Sequence, residues 1–249
     1  MKTFFLGILL FVSVQTGWTQ QNLSHSYRQS EQAGYNPLVD ILGWFVSEIT
    51  YGILVESYFE KDTPMHDAGL TPYPYFYNRE GNYTYDRDAV PFRLEINASY
   101  HLAPKQKYFW NADANLRLLK RFSIQLAYVK LPQTTGSTDY LSQTDISFSY
   151  HRIRARRFDL WYGLGAMFSE NPSNHNALTY HIGAELFLPE HLSVEGQAHW
   201  AYFDPVIIKN YQVQVNYFIA HWRLTAGLKN YRYPDIRINS IGIGLKYYF

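Results

Sequence analysis

The sequence predicts an all-β protein: a transmembrane antiparallel β-barrel of about ten strands. Three observations lead to this fold class. From residue 92 to residue 249, apolar and polar residues alternate with a period of two. The alternating segments are about 10 to 12 residues long, which matches a tilted strand that crosses a bilayer and exceeds the usual soluble strand. Aromatic residues also lie near both ends of the apolar faces, where membrane barrels have their interfacial girdles.

Residues 1–19 have the features of an export signal. Lys2 supplies a positive charge, residues 4–14 form an apolar run, and Gly17 and Thr19 form a pair of small residues before Gln20. The apolar run is too short to cross a bilayer as a helix. We therefore predict a signal peptide over residues 1–19.

Residues 20–91 are predicted to form an N-terminal helical and irregular segment rich in Tyr and Pro. Apolar residues recur at helical spacing after Asn36 and Pro37, which favours a short amphipathic helix; they are Leu38, Ile41, Leu42, Phe45, Ile49 and Ile53. Residues 48–59 can also be read as an alternating strand, which would give a barrel of twelve strands. We favour the helix because its spacing continues over more turns. The three prolines between Pro64 and Pro74 then indicate an irregular connector.

Residues 92–249 are predicted to form the barrel. In its first segment, Phe92, Leu94 and Ile96 share one face, while Arg93 and Glu95 share the other. The ten segments are residues 92–102, 108–117, 122–130, 140–151, 157–168, 178–188, 192–203, 210–219, 221–231 and 239–249. The polar faces hold many charges and amides, which are costly in the core of a soluble sandwich but normal inside a membrane barrel.

The connections between these segments alternate between short and longer. Short turns are expected near residues 120–121, 154–157, 189–191 and 220–221. The other connections are longer or richer in turn residues. With an even number of strands, both ends of the barrel segment and the short turns are expected on one side of the membrane, and the longer connections on the other.

Composition excludes several classes of function. Aromatic residues make up 18% and charged residues 17% of the chain, whose formal net charge is +1. This balance gives no reason to expect nucleic acid as a partner. The chain has no Cys, so disulfides, thiolate nucleophiles and Cys metal sites are impossible. The paired glycines at 163, 165, 242 and 244 lie inside strands, where they relieve crowding rather than form a phosphate-binding loop. No cofactor or metal ion is predicted.

The last residues carry a further signal. Apolar residues alternate along NSIGIGLKYYF up to a terminal aromatic, at Ile243, Leu245, Tyr247 and Phe249. With the export signal and the ten segments, this ending resembles the outer-membrane β-barrel proteins of Gram-negative bacteria. The resemblance implies a location in the bacterial cell outer membrane, contact with its lipid, and recognition of these four residues by the barrel-assembly machinery. We expect a monomer, and the resemblance points to no particular member of the class.

The polar faces of the sixth and seventh segments contain the candidate site residues. A tight turn at residues 189–191 places Glu185 opposite Glu195 and His181 opposite His199. Two carboxylates facing each other cannot both ionise cheaply unless a cation lies between them. Basic residues on the same predicted face are Arg93, Arg117, Arg223, Lys229 and Lys246. We interpret this set as a charge network that fills a narrow lumen; the alternative is an acid–base or metal site of two Glu and two His.

The expected function is a structural or narrow-channel, porin-like role without enzymatic activity. The alternative is an outer-membrane hydrolase acting on lipid or peptide, with a His and carboxylate site in or at the rim of the barrel. Its rim candidates are His101, Ser169 and His175, none of which belongs to a recognisable motif. A basic cluster near one turn is expected to stay hydrated or to bind anionic lipid; its members are Arg152, Arg154, Arg156 and Arg157.

Overall fold

A computed structural model describes residues 43, 45, 47, 68–84, 87–104, 107–132, 140–170, 175–203, 206–233 and 237–249. The chain divides into two units, residues 1–48 and 49–249. In the first unit, the described residues Gly43, Phe45 and Ser47 are α-helical. The rest of the predicted amphipathic helix and the predicted signal peptide lie outside the described residues. In the part of the chain described, no helix is long and apolar enough to cross a membrane.

The second unit is a closed antiparallel barrel of ten strands. Two short strands precede it, β1 (Gly69–Leu70) and β2 (Tyr83–Thr84). The barrel strands are β3 (Phe92–Ala103), β4 (Lys107–Leu118), β5 (Phe122–Pro132), β6 (Tyr140–Ala155), β7 (Phe158–Glu170), β8 (His175–Leu188), β9 (Leu192–Phe203), β10 (Val206–Ile219), β11 (Trp222–Arg232) and β12 (Arg237–Tyr248). Each strand pairs with its neighbour in sequence, and β12 pairs with β3 to close the ring. The predicted barrel of ten strands, rather than twelve, is confirmed.

Alternation along each strand separates an apolar outside from a polar inside. Ile243 on β12 is 69% exposed, while Arg93 on β3 is 1% exposed. The same contrast holds along β10, where Val213, Val215 and Tyr217 are exposed and Gln214 and Asn216 are buried. This arrangement is the reverse of a soluble protein, and it is the one expected where the outside faces lipid.

A β-bulge changes the phase of β6. Its register against β7 shifts between His151 and Ile153, so His151 faces the lumen and so does Arg154, three residues later. Arg154 is fully buried, with its guanidinium 5.5 Å from the centre of the Tyr83 ring. The expectation that the whole basic cluster is hydrated is therefore wrong for Arg154, because period-two alternation does not anticipate a bulge.

The two ends of the barrel differ. At one end, which we call the turn end, the strands are joined by short turns at residues 119–121, 156–157, 189–191 and 220–221. The other end is called the loop end. Residues 68–84, called the N-terminal segment, contain the β1–β2 pair and a single 3-10 turn at Phe76–Asn78. Gly81 in this segment has φ +98°, and a Cβ there would lie 2.0 Å from the carbonyl oxygen of Arg156, so only glycine fits.

Candidate functional site

The lumen is the candidate functional site, and the N-terminal segment lies across its turn end. The Tyr75 hydroxyl donates to the carbonyl oxygen of Leu188 at 2.6 Å and also contacts that of Leu192. Its ring packs in a buried cluster with Phe187, Phe218 and Tyr248. Burial raises the pKa of the Tyr75 phenol. This aromatic cluster therefore fixes the segment to the strands at the turn end.

Two buried arginines of the barrel hold the other side of the segment. Arg93 donates to the Thr71 carbonyl oxygen at 3.0 Å and to Asn82 Oδ1 at 2.9 Å. Arg117 donates to the Tyr83 hydroxyl at 2.7 Å. These charge-assisted hydrogen bonds bind backbone and side chains of the segment to β3 and β4.

A surface ion pair adds a third attachment. The Arg157 guanidinium donates to both carboxylate oxygens of Glu80, at 2.7 and 3.0 Å, and Arg156 lies 3.6 Å from the same carboxylate. The hydrogen bond from Arg157 lowers the pKa of Glu80. Two members of the predicted basic cluster are thus engaged by the chain's own carboxylate.

A belt of ion pairs fills the lumen next to the segment. Arg223 lies 3.5 Å from Glu185 and also pairs with Glu195, and Lys246 lies 3.1 Å from Glu95. The ion pairs of the belt join four cations with four carboxylates: Arg93, Arg117, Arg223 and Lys246 with Glu95, Asp159, Glu185 and Glu195. Each member of the belt thus has an ionic partner, which offsets part of the cost of burying its charge.

The register predicted around the 189–191 turn is confirmed. Glu185 faces Glu195 and His181 faces His199. Arg223 is the cation expected between the two carboxylates. Along the strands, the His pair lies four residues from the Glu pair, about 13 Å at the usual strand rise. The two pairs are therefore separate, and no metal-holding group of three or more His, Asp or Glu occurs among the described residues.

Asp159 of the belt has the arrangement of a catalytic triad with Ser123 and His151, which lie next to it. His151 Nδ1 donates to Asp159 Oδ1 at 2.8 Å, and Ser123 Oγ lies 3.3 Å from His151 Nε2. Ser123, His151 and Asp159 are only 4%, 4% and 1% exposed. Arg117 and Tyr83 also donate to Asp159 Oδ2, at 3.0 and 3.1 Å. Asn82 Nδ2 is a fourth donor to Asp159, at 3.4 Å from Oδ2. Because Asp159 is held by four donors and Ser123 is buried, the serine is not open to an acyl substrate.

Of the three predicted rim candidates, His101 lies apart from Ser169 and His175. His101 is buried in the lumen, where it stacks on Phe109 at 4.8 Å and lies 3.0 Å from Ser99 Oγ. Ser169 lies at the loop end of β7, opposite His175 in the strand register. The side chain of His175 lies outside the described part of the chain. The described residues thus supply no His and carboxylate pair for the rim hydrolase alternative at His101.

A cavity of about 150 Å³ occupies the middle of the lumen. Toward the loop end, the interior is apolar, with Phe109, Leu131 and Tyr231 in one cluster and Met167 and Ala201 in another. The cavity wall itself is polar and includes Asp113, Asp145, His199 and Lys229. The lumen therefore has three layers, a charged belt, a polar cavity and an apolar layer, from the turn end to the loop end.

Sequence reasoning missed the contribution of the N-terminal segment to this site. Tyr75, Asn82 and Tyr83 reach the lumen residues, although nothing in their local pattern distinguishes them from surface turn residues. The available signal was the density of Tyr between residues 73 and 85. Such a density indicates buried aromatic contacts, but the partners of Tyr75 and Tyr83 include Leu188 and Asp159, which lie 113 and 76 residues away in sequence.

The ring of strands is closed, its outside is apolar and its lumen is polar. The fold is that of an outer-membrane β-barrel. The resemblance stated from the sequence is thus confirmed at the level of fold, without a particular member of the class. No protein-family model and no curated protein matches the sequence.

Among solved structures, similar barrels include the N-terminal β-barrel domain of Pseudomonas aeruginosa OprF, with 13% identity over 63% of this chain and 97% of that chain, at a TM-score of 0.34. An outer membrane channel from Pseudomonas putida F1 has 10% identity over 66% and 98%, at a TM-score of 0.38. Ail, the attachment invasion locus protein of Yersinia pestis, has 12% identity over 64% and 100%, at a TM-score of 0.32. At such scores and identities, these proteins give no information about the activity of this barrel.

Proposed function

We propose that this chain is an integral protein of the bacterial outer membrane with a structural role, and that its lumen does not conduct ions in the conformation described. The observation that carries the proposal is the closure of the turn end. The N-terminal segment and the belt of ion pairs occupy the lumen there, and Arg93, Arg117, Arg223 and Tyr83 are all buried. A narrow channel would need a continuous water path past these side chains.

The apolar outside supports membrane insertion. Exposed Leu, Ile and Val side chains cover the barrel wall, and every barrel strand is paired on both sides within the closed ring. In this proposal, outer-membrane lipid covers this surface and the protein is a monomer. The barrel-assembly machinery reads the terminal Ile243, Leu245, Tyr247 and Phe249, of which the two aliphatic residues and Phe249 are exposed.

Conductance in planar bilayers tests the proposal. The refolded chain, with folding verified by heat-modifiable gel mobility, is expected to insert without steady ion steps. A double variant, Tyr75→Ala with Tyr83→Ala, removes two buried anchors of the N-terminal segment and is expected to give transient ion steps. Tyr77→Ala is the matched control, because the Tyr77 side chain is 68% exposed in the same segment.

Three results would contradict the proposal. Steady ion steps in the unmodified chain would show a conducting lumen and favour the narrow-channel role instead. Failure of the folded chain to remain in the bilayer would contradict membrane insertion itself. Hydrolysis of lipid or peptide by the folded chain would instead favour the enzymatic alternative.

A further inference from the structure

Three basic residues, which we call the basic row, lie side by side on the outer wall of the barrel at the loop end. Lys209 on β10 faces Arg232 on β11, and Arg232 in turn faces Arg237 on β12. All three side chains are exposed. Neighbouring strands lie about 4.8 Å apart, so the row spans about 10 Å across the wall. Like charges that directly face each other destabilise a sheet, so an anion beside the row would be favoured.

The basic row lies at the edge of the apolar wall. Val213 is four residues from Lys209 on β10, and Leu228 is four residues from Arg232 on β11; both apolar side chains are exposed on the same face as the row. Four residues correspond to about 13 Å along a strand. With strands tilted by about 40°, this is about 10 Å along the membrane normal, close to the edge of an apolar band about 25 Å tall. The neighbours of the row in a membrane are therefore lipid headgroups rather than the middle of the acyl chains.

The central arginine of the row is held in place with part of its guanidinium unused. Arg232 Nε donates to Asn230 Oδ1 at 2.7 Å, and the guanidinium carbon lies 5.2 Å from the centre of the Tyr211 ring. Asn230 in turn donates to Asn239 on β12. The two terminal nitrogens of Arg232 form no hydrogen bond with a described residue. The edge formed by these two nitrogens can bind two oxygens of a phosphate at once.

The part of the chain that the structure describes supplies no carboxylate to the basic row. None of its three members forms a salt bridge with a described Asp or Glu. At the turn end, by contrast, Glu80 pairs with both Arg156 and Arg157. Asp235, in the loop between β11 and β12, lies outside the described residues and is removed in one variant of the test. The anion that serves the row is therefore expected from the surroundings of the barrel.

We propose that the basic row binds the phosphomonoester headgroup of a lipid in the leaflet at the loop end. A phosphomonoester carries about −1.5 to −2 charges at pH 7 and three strong acceptor oxygens, so it can serve three adjacent cations at once. A phosphodiester carries a single negative charge, and the headgroup of phosphatidylcholine has no net charge. The inference rests on the membrane insertion in the proposed function. It goes beyond the structural role, because it assigns one lipid chemistry to one site on the wall.

Fluorescence quenching by brominated lipids tests the site on the full refolded chain in phosphatidylcholine vesicles. The chain has no Cys, so Ile241→Cys places a single fluorophore on the outer wall near the basic row, and Ile146→Cys places one on β6 as the matched control. Brominated phosphatidic acid, phosphatidylglycerol and phosphatidylcholine are added in turn as minor components of both leaflets. At the label near the row, phosphatidic acid is expected to associate about tenfold more strongly than phosphatidylcholine, with phosphatidylglycerol between them. At the control label, the three lipids are expected to quench alike.

Variants assign the preference to the basic row. Arg232→Gln with Arg237→Gln is expected to abolish the preference for phosphatidic acid at the label near the row. Arg87→Gln with Arg156→Gln removes two exposed arginines outside the row and is expected to keep the preference, so it controls for net charge. Asp235→Asn removes the acidic residue of the adjoining loop and is also expected to keep it. Inorganic phosphate, added at constant ionic strength, is expected not to displace the lipid.

Several outcomes would overturn the inference. Equal association of the three lipids near the basic row, or the same preference at both labels, would show that the row selects no lipid. A preference that survives the loss of Arg232 and Arg237, or that depends on Asp235 instead, would place the site elsewhere. Displacement by inorganic phosphate would indicate a site for the free ion. If the double variant does not fold, the comparison of lipids at the two labels still decides. Failure of brominated phosphatidylcholine to quench either label would instead contradict membrane insertion, and with it the proposed function.

Discussion

At the scale of single residues, Arg223 controls the stability of the belt. Its guanidinium serves two facing carboxylates, Glu185 and Glu195, whose strands pair directly at these positions. Ser193 and Asn216 also donate to Glu185, and Gln214 donates to Glu195. Without the guanidinium, two carboxylates would face each other in a buried site with only neutral donors, which is a strongly unfavourable arrangement.

The first prediction follows from this contact. Arg223→Met is expected to lower the free energy of unfolding by about 3 to 5 kcal/mol, because it leaves buried carboxylates without their cation. Urea unfolding of the refolded barrel in lipid vesicles measures the change. A triple variant that adds Glu185→Gln and Glu195→Gln removes the charges together and is expected to recover most of the loss. A loss below about 1 kcal/mol in the single variant would show that Arg223 acts as an ordinary surface ion pair.

At the scale of elements, the N-terminal segment is held by contacts of different kinds. The aromatic cluster around Tyr75 and the hydrogen bonds from Arg93 and Arg117 do not depend on an exposed titratable group. The ion pair between Glu80 and Arg157 depends on such a group, because the Glu80 carboxyl lies near the surface. Residues 79–81, which also include Gly81 with its positive φ, are therefore the part of the segment whose attachment should respond to pH.

The second prediction concerns this pH response. The hydrogen bond from Arg157 lowers the pKa of Glu80 below its ordinary value of 4.5, so the contact stabilises the attached segment fully above that value. The contribution is lost as the pH falls through the lower pKa of the attached state. Hydrogen exchange of backbone amides in residues 79–82 is expected to accelerate in that acidic range. Glu80→Gln should exchange faster at neutral pH and lack the acidic step, whereas an unchanged acidic step would assign it to another group.

At the scale of the whole molecule, the period-two alternation of apolar and polar residues produces both surfaces of the barrel wall. The outside must be apolar to face lipid, and the lumen must be polar. Along β10, Val213 is exposed on the outside, while Gln214 is buried in the lumen. Val213 lies near the middle of its strand and Ile207 near the loop end. In a bilayer these two outward positions would therefore lie at different depths, in the hydrocarbon centre and near the interface.

The third prediction uses this difference in depth. Val213→Arg is expected to destabilise the barrel in lipid vesicles by about 2 to 4 kcal/mol, whereas Ile207→Arg should cost about 0 to 1 kcal/mol. Both side chains point outward, so Ile207→Arg is the matched control for the added charge. Urea unfolding in vesicles measures both values. Equal costs for the two variants would be inconsistent with a lipid-facing wall.

The sequence predicted the strands and the local register well, because both depend on nearby residues. Alternation located the ten strands, and the turn at residues 189–191 gave the pairing of Glu185 with Glu195. The prediction of a charge network was confirmed for this pair, with Arg223 as the bridging cation. The site residues that were missed, such as Tyr75 and Tyr83, act through contacts that no short-range pattern encodes.

By itself, the sequence determined the fold class and the division into apolar and polar faces, since a period of two fixes the side of the sheet for each residue. It left ten and twelve strands open, and the closed ring decided for ten. Only the tertiary structure decided which lumen charges meet. Closure of β12 against β3 brings Lys246 to Glu95, and the bulge in β6 turns Arg154 inward. Such contacts join residues far apart in sequence, so they depend on closure, bulge and segment placement together rather than on any local pattern.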